Sequence, residues 1–288
     1  MDGHERSRRL RGIVLLVLAF TIFAGVDGLS KILAETQSVA QIVWARYALA
    51  LPVLFATLRP SDRRGIYRTA HPRLQIVRGI TPLGISACMV FAVRYLPLAD
   101  ATVILFAGPF LIVALSKPFL GEPVHAASWI GVGLGFLAVL MVARPGFAGF
   151  SLYALFPLAA AFFMAFYQLF SRRLGAAGEQ PNTTLAWTLT LGAIIATPFA
   201  ILMWQPLDAR GWILMVALGA TFGFAQSLMI RAYSLAPAAL LAPFTYAQIV
   251  SAAIFGVIVF GAVPDLATIA GIVLIIASGV WVMRQRGR

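Results

Sequence analysis

Of 288 residues, 61% are hydrophobic and 11% charged, with a formal net charge of +12, and the mean hydropathy is +0.91. Soluble domains carry about 25% charge, so a water-solvated globule is excluded and the chain belongs in a bilayer. The basic residues stand between apolar runs and form no face with interleaved aromatics, which excludes nucleic acid as a partner.

The chain begins with a basic segment, residues 1–11. The apolar stretch behind it runs past the length of a signal-peptide core and lacks a small-residue cleavage pattern, so a retained first span is expected. A transmembrane helix needs roughly 17–25 mostly apolar residues. Ten segments qualify, at 12–33, 40–58, 75–95, 99–118, 127–143, 150–171, 183–204, 210–235, 239–260 and 266–283. They do not alternate polar and apolar positions as barrel strands do, so the predicted fold class is an all-α integral membrane protein.

Asp27, in the first span, is the only carboxylate well inside one, and intramembrane charges are functional candidates by default. It lies about six residues before the outer end of its helix, and Arg46 lies about six after the outer start of the next. A short loop joins the two, so the charges sit at similar depth on antiparallel neighbours. Pairing removes an uncompensated charge from hydrocarbon and favours a structural or gating role over proton carriage. With Asp27 held by Arg46 no proton relay is visible, and energy coupling stays open between facilitated diffusion and antiport.

Pro109 in the fourth span and Pro243 in the ninth each free a backbone carbonyl, as hinge or as static kink. Pro52 and Pro198 match between the second and seventh spans, where a shared fixed kink is expected. The runs Gly131-Val-Gly-Leu-Gly135 and Gly219-Ala-Thr-Phe-Gly223 let helices approach closely. Such runs suit packing within the chain, or in the fifth and tenth helices a homodimer face, and the sequence leaves both open. Cys88 is the single cysteine, and His4, His71 and His125 are scattered, so no disulfide framework, metal site or cofactor is expected.

Seventeen of the 22 Lys and Arg fall on one side: the amino terminus, the second loop, Arg78 just inside the third span, Lys117, Arg172, Arg173, Arg231 and the tail. The positive-inside rule makes both termini cytoplasmic, in keeping with an even number of spans.

Leu120-Gly121-Glu122-Pro123 and Gly131 recur 140 residues later as Phe260-Gly261-Ala262-Val263-Pro264 and Gly271. Tyr95-Leu96-Pro97-Leu98-Ala99 is answered by Tyr233-Ser234-Leu235-Ala236-Pro237. This is an internal duplication. Residues 12–143 and 150–283 are therefore read as two five-helix repeats, with 284–288 as a cytoplasmic tail. An odd number of spans per copy inverts the second copy across the membrane, an arrangement that places a solute site near the midplane.

These motifs, from Tyr95 through Pro109 to Pro123 and again from Tyr233 through Pro243 to Phe260, resemble the drug/metabolite transporter superfamily. The similarity is to its ten-helix EamA-type members, and among them to bacterial inner-membrane exporters of amino acids of the YddG kind. One departure is that the acid after the repeated glycine, Glu122, is Ala262 in the second copy. The resemblance implies a central cavity lined by the third and fourth helices of each repeat, helped by the first. On those helices the candidates for solute contact are Ser86, Met89, Phe106, Phe163, Tyr167 with Gln168, Phe222, Gln226, Tyr246 and Gln248. Such a set suits a small-molecule substrate with an apolar or aromatic body and a few hydrogen bonds.

The expected function is a secondary transporter exporting small metabolites, with amino acids as the first expectation, by alternating access, and riboflavin or a nucleotide derivative as the alternative. A channel would need a ring of filter groups, and an enzyme a catalytic set; neither is present. No GxxxxGK[ST] loop appears, so this chain has no ATP-binding site of its own.

Overall fold

The computed structural model describes residues 3–58, 60–120, 126–143 and 151–286. Gly121, Glu122 and the 144–150 connection lie outside the described residues. Among those described, every regular element is helical: α1 (Gly3–Leu33), α2 (Val39–Ala48), α3 (Leu51–Thr57), α4 (Pro60–Arg63), α5 (Pro72–Tyr95), α6 (Leu98–Leu105), α7 (Gly108–Leu120) and α8 (Ala126–Ala143) in the first half. The second half holds α9 (Leu155–Ala176), α10 (Pro181–Leu202), α11 (Ala209–Leu235), α12 (Ala238–Leu241), α13 (Ala247–Phe260) and α14 (Leu266–Arg286). Eight helical stretches are long and apolar enough to cross a membrane, and two shorter apolar helices, Trp129–Ala143 and Leu266–Trp281, accompany them. Leu202, Ile213, Ile258 and Val263 are exposed, an apolar outer surface suited to lipid and not to water. The chain is a multi-pass membrane protein.

Three stretches read as single spans are interrupted. The fourth breaks between α6 and α7: the last turn tightens, with Ala107 N–H donating to Ile104 O at 3.0 Å, and Pro109, which has no N–H, begins the next helix. The ninth breaks between α12 and α13, where Pro243 opens a 3₁₀ turn over Ala242–Tyr246. These discontinuities fall in the fourth helix of each half. The second stretch breaks between α2 and α3, ahead of Pro52, whereas α10 runs unbroken through Pro198, so the two matched prolines do not impose one shared kink. The reason is local: Gly219 and Gly223, one turn apart on α11, admit the α2–α3 junction. A Cβ on Gly219 would meet Ala45 O at 2.7 Å, and one on Gly223 would meet Ala50 O at 3.0 Å. That glycine run is thus used within the chain. Gly271 likewise lies against Ala138 O and Val142 of α8.

The packing maps onto itself when the halves are exchanged. Helix α1 packs on α11 and α13, as α9 packs on α5 and on α6 and α7. Helix α5 packs on α10 as α11 packs on α2 and α3, while α2 with α10 and α8 with α14 are their own counterparts. One core gathers Tyr47, Leu54, Leu189, Met215 and Phe222; a second gathers Phe106, Val139, Tyr246 and Ile275. The repeated glycine gains a physical reason at Gly261, which closes α13 in the left-handed region (φ 62°) that favours glycine.

Candidate functional site

Between the halves lies a cavity of about 1090 Å³. Its lining runs from helix ends and loops (Asp62, Glu179, Asn182, Ser234) to mid-span residues (Phe20, Phe106, Pro109, Thr245). All these ends belong to the side that the basic residues mark. Among the described residues, none near 33–39, 95–98 or 203–209, at the opposite ends, contributes to the lining. The cavity is therefore open on one side. Its depth follows from the broken helices, since Pro109 and Thr245 stand at the two interruptions.

The opposite half is closed by buried polar side chains. Asp27 is seven residues, about 10 Å of helix rise, beyond Phe20 on α1. Arg46 Nη2 donates to Asp27 Oδ1 at 3.0 Å and to Ser30 Oγ at 2.7 Å. Gln248 Nε2 donates to Asp27 Oδ2 at 3.3 Å, bringing in α13. Ser86 hydrogen-bonds Tyr47 at 2.9 Å and reaches Arg46 Nη1 at 3.5 Å. The Arg46 guanidinium also lies 5.6 Å from the centre of the Phe222 ring. Farther out, Lys31 Nζ donates to Val93 O and Leu96 O at 2.5 and 2.7 Å, capping the C-terminal end of α5 with positive charge. Four helices are thus tied together across the sealed half.

The residues nominated from sequence divide accordingly. Phe106, Pro109, Tyr167 and Gln168 line the cavity. Asp27, Arg46, Ser86 and Gln248 meet in the sealed half, with Phe222 beneath Arg46 and edge-on to Tyr47. Met89 is packed with Ala24, Leu98 and Ala252. Tyr246 is buried beside Phe106, ring centres 5.5 Å apart, with its hydroxyl against Gly279. Phe163 covers Gly84 and is otherwise exposed. Gln226 is buried on α11 and makes no hydrogen bond among the described residues. Pro243 begins the turn that carries Thr245 to the cavity.

One cavity residue, Arg78, reads in the sequence only as a topology charge just inside the third span. Arg78 is 6% exposed, and its guanidinium reaches three groups on α9 and α10 besides a backbone carbonyl. Nε donates to Ser171 Oγ at 2.9 Å, Nη1 to Thr184 O at 2.9 Å and Thr188 Oγ1 at 2.6 Å, and Nη2 to Tyr167 Oη at 2.8 Å. It also lies 4.5 Å from the centre of the Tyr167 ring. A sequence signal was available: Tyr167 and Ser171, and Thr184 and Thr188, are hydroxyl pairs each one helical turn apart on neighbouring spans.

The EamA-like transporter family matches residues 10–144 and again 151–284. The Pseudopaline exporter CntI of Pseudomonas aeruginosa is 30% identical over 280 residues, covering 96% of each chain. The Riboflavin transporter of Brucella anthropi is 26% identical over 94% of this chain and 97% of its own. The S-adenosylmethionine uptake transporter of Rickettsia prowazekii is 22% identical over 95% of this chain and 92% of its own. A solved structure described only as a crystal structure of a protein superposes with a TM-score of 0.60 at 20% identity, over 98% of this chain and 99% of that one. At that identity the likeness concerns the fold alone.

Proposed function

From the premise that this chain belongs to the EamA-like transporter family, we propose that it is a secondary transporter of small metabolites, with ten spans in two inverted five-helix halves that alternate access to a central site. The observation that carries this reading is the 1090 Å³ cavity, open at one end and shut at the other by the Asp27–Arg46 cluster. The twofold family match and the packing that survives exchange of the halves support the repeat. Inversion then follows from five spans per half.

The cavity mouth lies on the side rich in Arg, which is the cytoplasmic side by the positive-inside rule. In this scheme the protein exports from a bacterial cytoplasm, and the inward-facing cavity is the state that loads the solute. Phe20, Met164 and Tyr167 offer apolar and aromatic surface to the solute. This favours amino acids, aromatic or neutral, in line with the YddG-type resemblance; riboflavin or a nucleotide derivative is the second reading, favoured by the riboflavin-transporting relatives. In this scheme the breaks at Pro109 and Pro243 act as hinges, and Asp27 with Arg46 and Gln248 acts as the gate of the closed side.

Counterflow in proteoliposomes tests the reading. Vesicles preloaded with unlabelled phenylalanine or leucine are expected to take up the labelled amino acid saturably, with a transient overshoot. Amino acids that neither move nor compete would remove them as substrates. Absence of counterflow with amino acids, riboflavin and S-adenosylmethionine alike would remove the transport reading itself.

A further inference from the structure

Among the buried cations of this chain, Arg46 has a carboxylate partner and Arg78 has none: the described residues hold no salt bridge to it. A guanidinium is always charged and carries five N–H donors. At Arg78 four of them are engaged, one from Nε, two from Nη1 and one from Nη2, all by neutral oxygens. Two of those oxygens spend their own protons elsewhere. Ser171 Oγ donates to Tyr167 O at 2.6 Å, and Thr188 Oγ1 donates to Thr184 O at 2.8 Å. They hold the guanidinium in place without neutralising it.

Two donors are left at the cavity wall: the second N–H of Nη2 and the hydroxyl proton of Tyr167. Their heavy atoms are 2.8 Å apart, close enough for each to donate to one oxygen of the same carboxylate. Tyr167 accepts from Arg78 and donates to nothing among the described residues, so its proton is available. Burying an unpaired cation is costly unless an anion completes the site. Of the cavity-wall acids, Glu179 is engaged away from Arg78: it accepts from Thr69 Oγ1, Ala70 N–H and Gln75 Nε2 at 2.6, 3.1 and 3.2 Å.

The geometry points to Arg78 and Tyr167 as the anchor for a carboxylate on the transported solute, whose apolar body then rests toward Phe20 and Met164. This rests on the transporter reading and narrows it: the substrate class is an organic acid or amino acid that keeps its carboxylate free, and a carboxylate-free solute is disfavoured.

Binding to purified protein tests this apart from transport. The probes are L-phenylalanine and N-acetyl-L-phenylalanine, their carboxamides, and inorganic phosphate, read by calorimetry and thermal shift. A charged hydrogen-bonded pair in such a site is expected to favour each acid over its amide by about tenfold or more. Arg78→Gln is expected to abolish that preference and Arg78→Lys to keep part of it. Because Arg78 ties three helices together, Tyr167→Phe provides a variant that leaves three guanidinium bonds intact. It is expected to weaken acid binding about threefold to tenfold while amide binding stays unchanged. Equal binding of acid and amide to the natural protein, an acid preference that survives Arg78→Gln, tighter binding of phosphate than of the acids, or no acid binding at all would each overturn the anchor. Counterflow of uncharged solutes without preference for acids would overturn the anchor and leave the transport reading standing; Arg78-dependent acid binding without counterflow would do the reverse.

Discussion

Arg46→Ala, in protein purified in detergent, is expected to lose about 3–5 kcal/mol of unfolding free energy, because it strands a carboxylate inside the bundle. The loss is set by what remains. Without the guanidinium, Asp27 keeps one neutral partner, Gln248 at 3.3 Å, and Ser30 and Ser86 lose their contacts at 2.7 and 3.5 Å. Asp27→Asn is expected to cost less, since Arg46 keeps Ser30, Ser86 and the face of Phe222. The double variant Asp27→Asn with Arg46→Ala removes both charges together, so its cost is expected to fall below the sum of the two single losses. Denaturant titration of the four proteins measures this. Strict additivity would mean that the two charges are not coupled.

The second large effect concerns glycines, and it is graded. Gly219→Ala drives a Cβ to 2.7 Å from Ala45 O, a backbone atom that moves only if the α2–α3 junction moves. Overpacking of this kind costs about 1–3 kcal/mol, and Gly219→Leu is expected to abolish the folded yield. Gly223→Ala, whose nearest atom is Ala50 O at 3.0 Å, is expected to be milder. Gly133→Ala meets nothing within 4 Å, and the better helix propensity of alanine, up to about 1 kcal/mol, makes it neutral or stabilising. Melting temperatures in the order Gly133→Ala, Gly223→Ala, Gly219→Ala, highest first, are the expected result. Equal melting temperatures would show that α11 does not seat the junction through these two positions.

The two stability series also mark where sequence reading succeeds and where it stops. Segment lengths and hydropathy locate the helices because hydrocarbon demands about 20 apolar residues per crossing. The depth of Asp27 and Arg46 could be read because a short loop fixes the register of two antiparallel helices, and the atoms lie 3.0 Å apart. Two helix breaks fall at the prolines named for them, Pro109 and Pro243, but the matched pair could not be told apart, since a proline permits an interruption without requiring one: α10 continues through Pro198 and the second span breaks ahead of Pro52. The facing of side chains was equally hidden. A helix that meets both lipid and protein is apolar all round and has no stripe to give its phase, so nothing in α5 announced that Ser86 and Met89 turn toward the sealed half. Arg78 sits at the end of an apolar run, where a basic residue reads first as a topology signal, and its partners come from helices about 90 to 110 residues away.

Alternating access can be tested at one residue on each side. Tyr95 aligns with Tyr233, so Met89 is the first-half counterpart of Ser227, which lines the open cavity. Exchange of the roles of the halves would expose Met89 on the outer side as the inner mouth closes. In a Cys88→Ser background, Met164→Cys at the cavity wall and Met89→Cys in the sealed half are labelled in separate proteins with a membrane-impermeant thiol reagent. Without solute, Met164→Cys is expected to react from the cytoplasmic side while Met89→Cys is silent from either side. During turnover, Met89→Cys is expected to become reactive from outside as labelling at Met164→Cys slows. A transporting protein in which Met89→Cys stays silent throughout, or in which Met164→Cys reacts from outside without solute, would contradict two inverted halves alternating about one site.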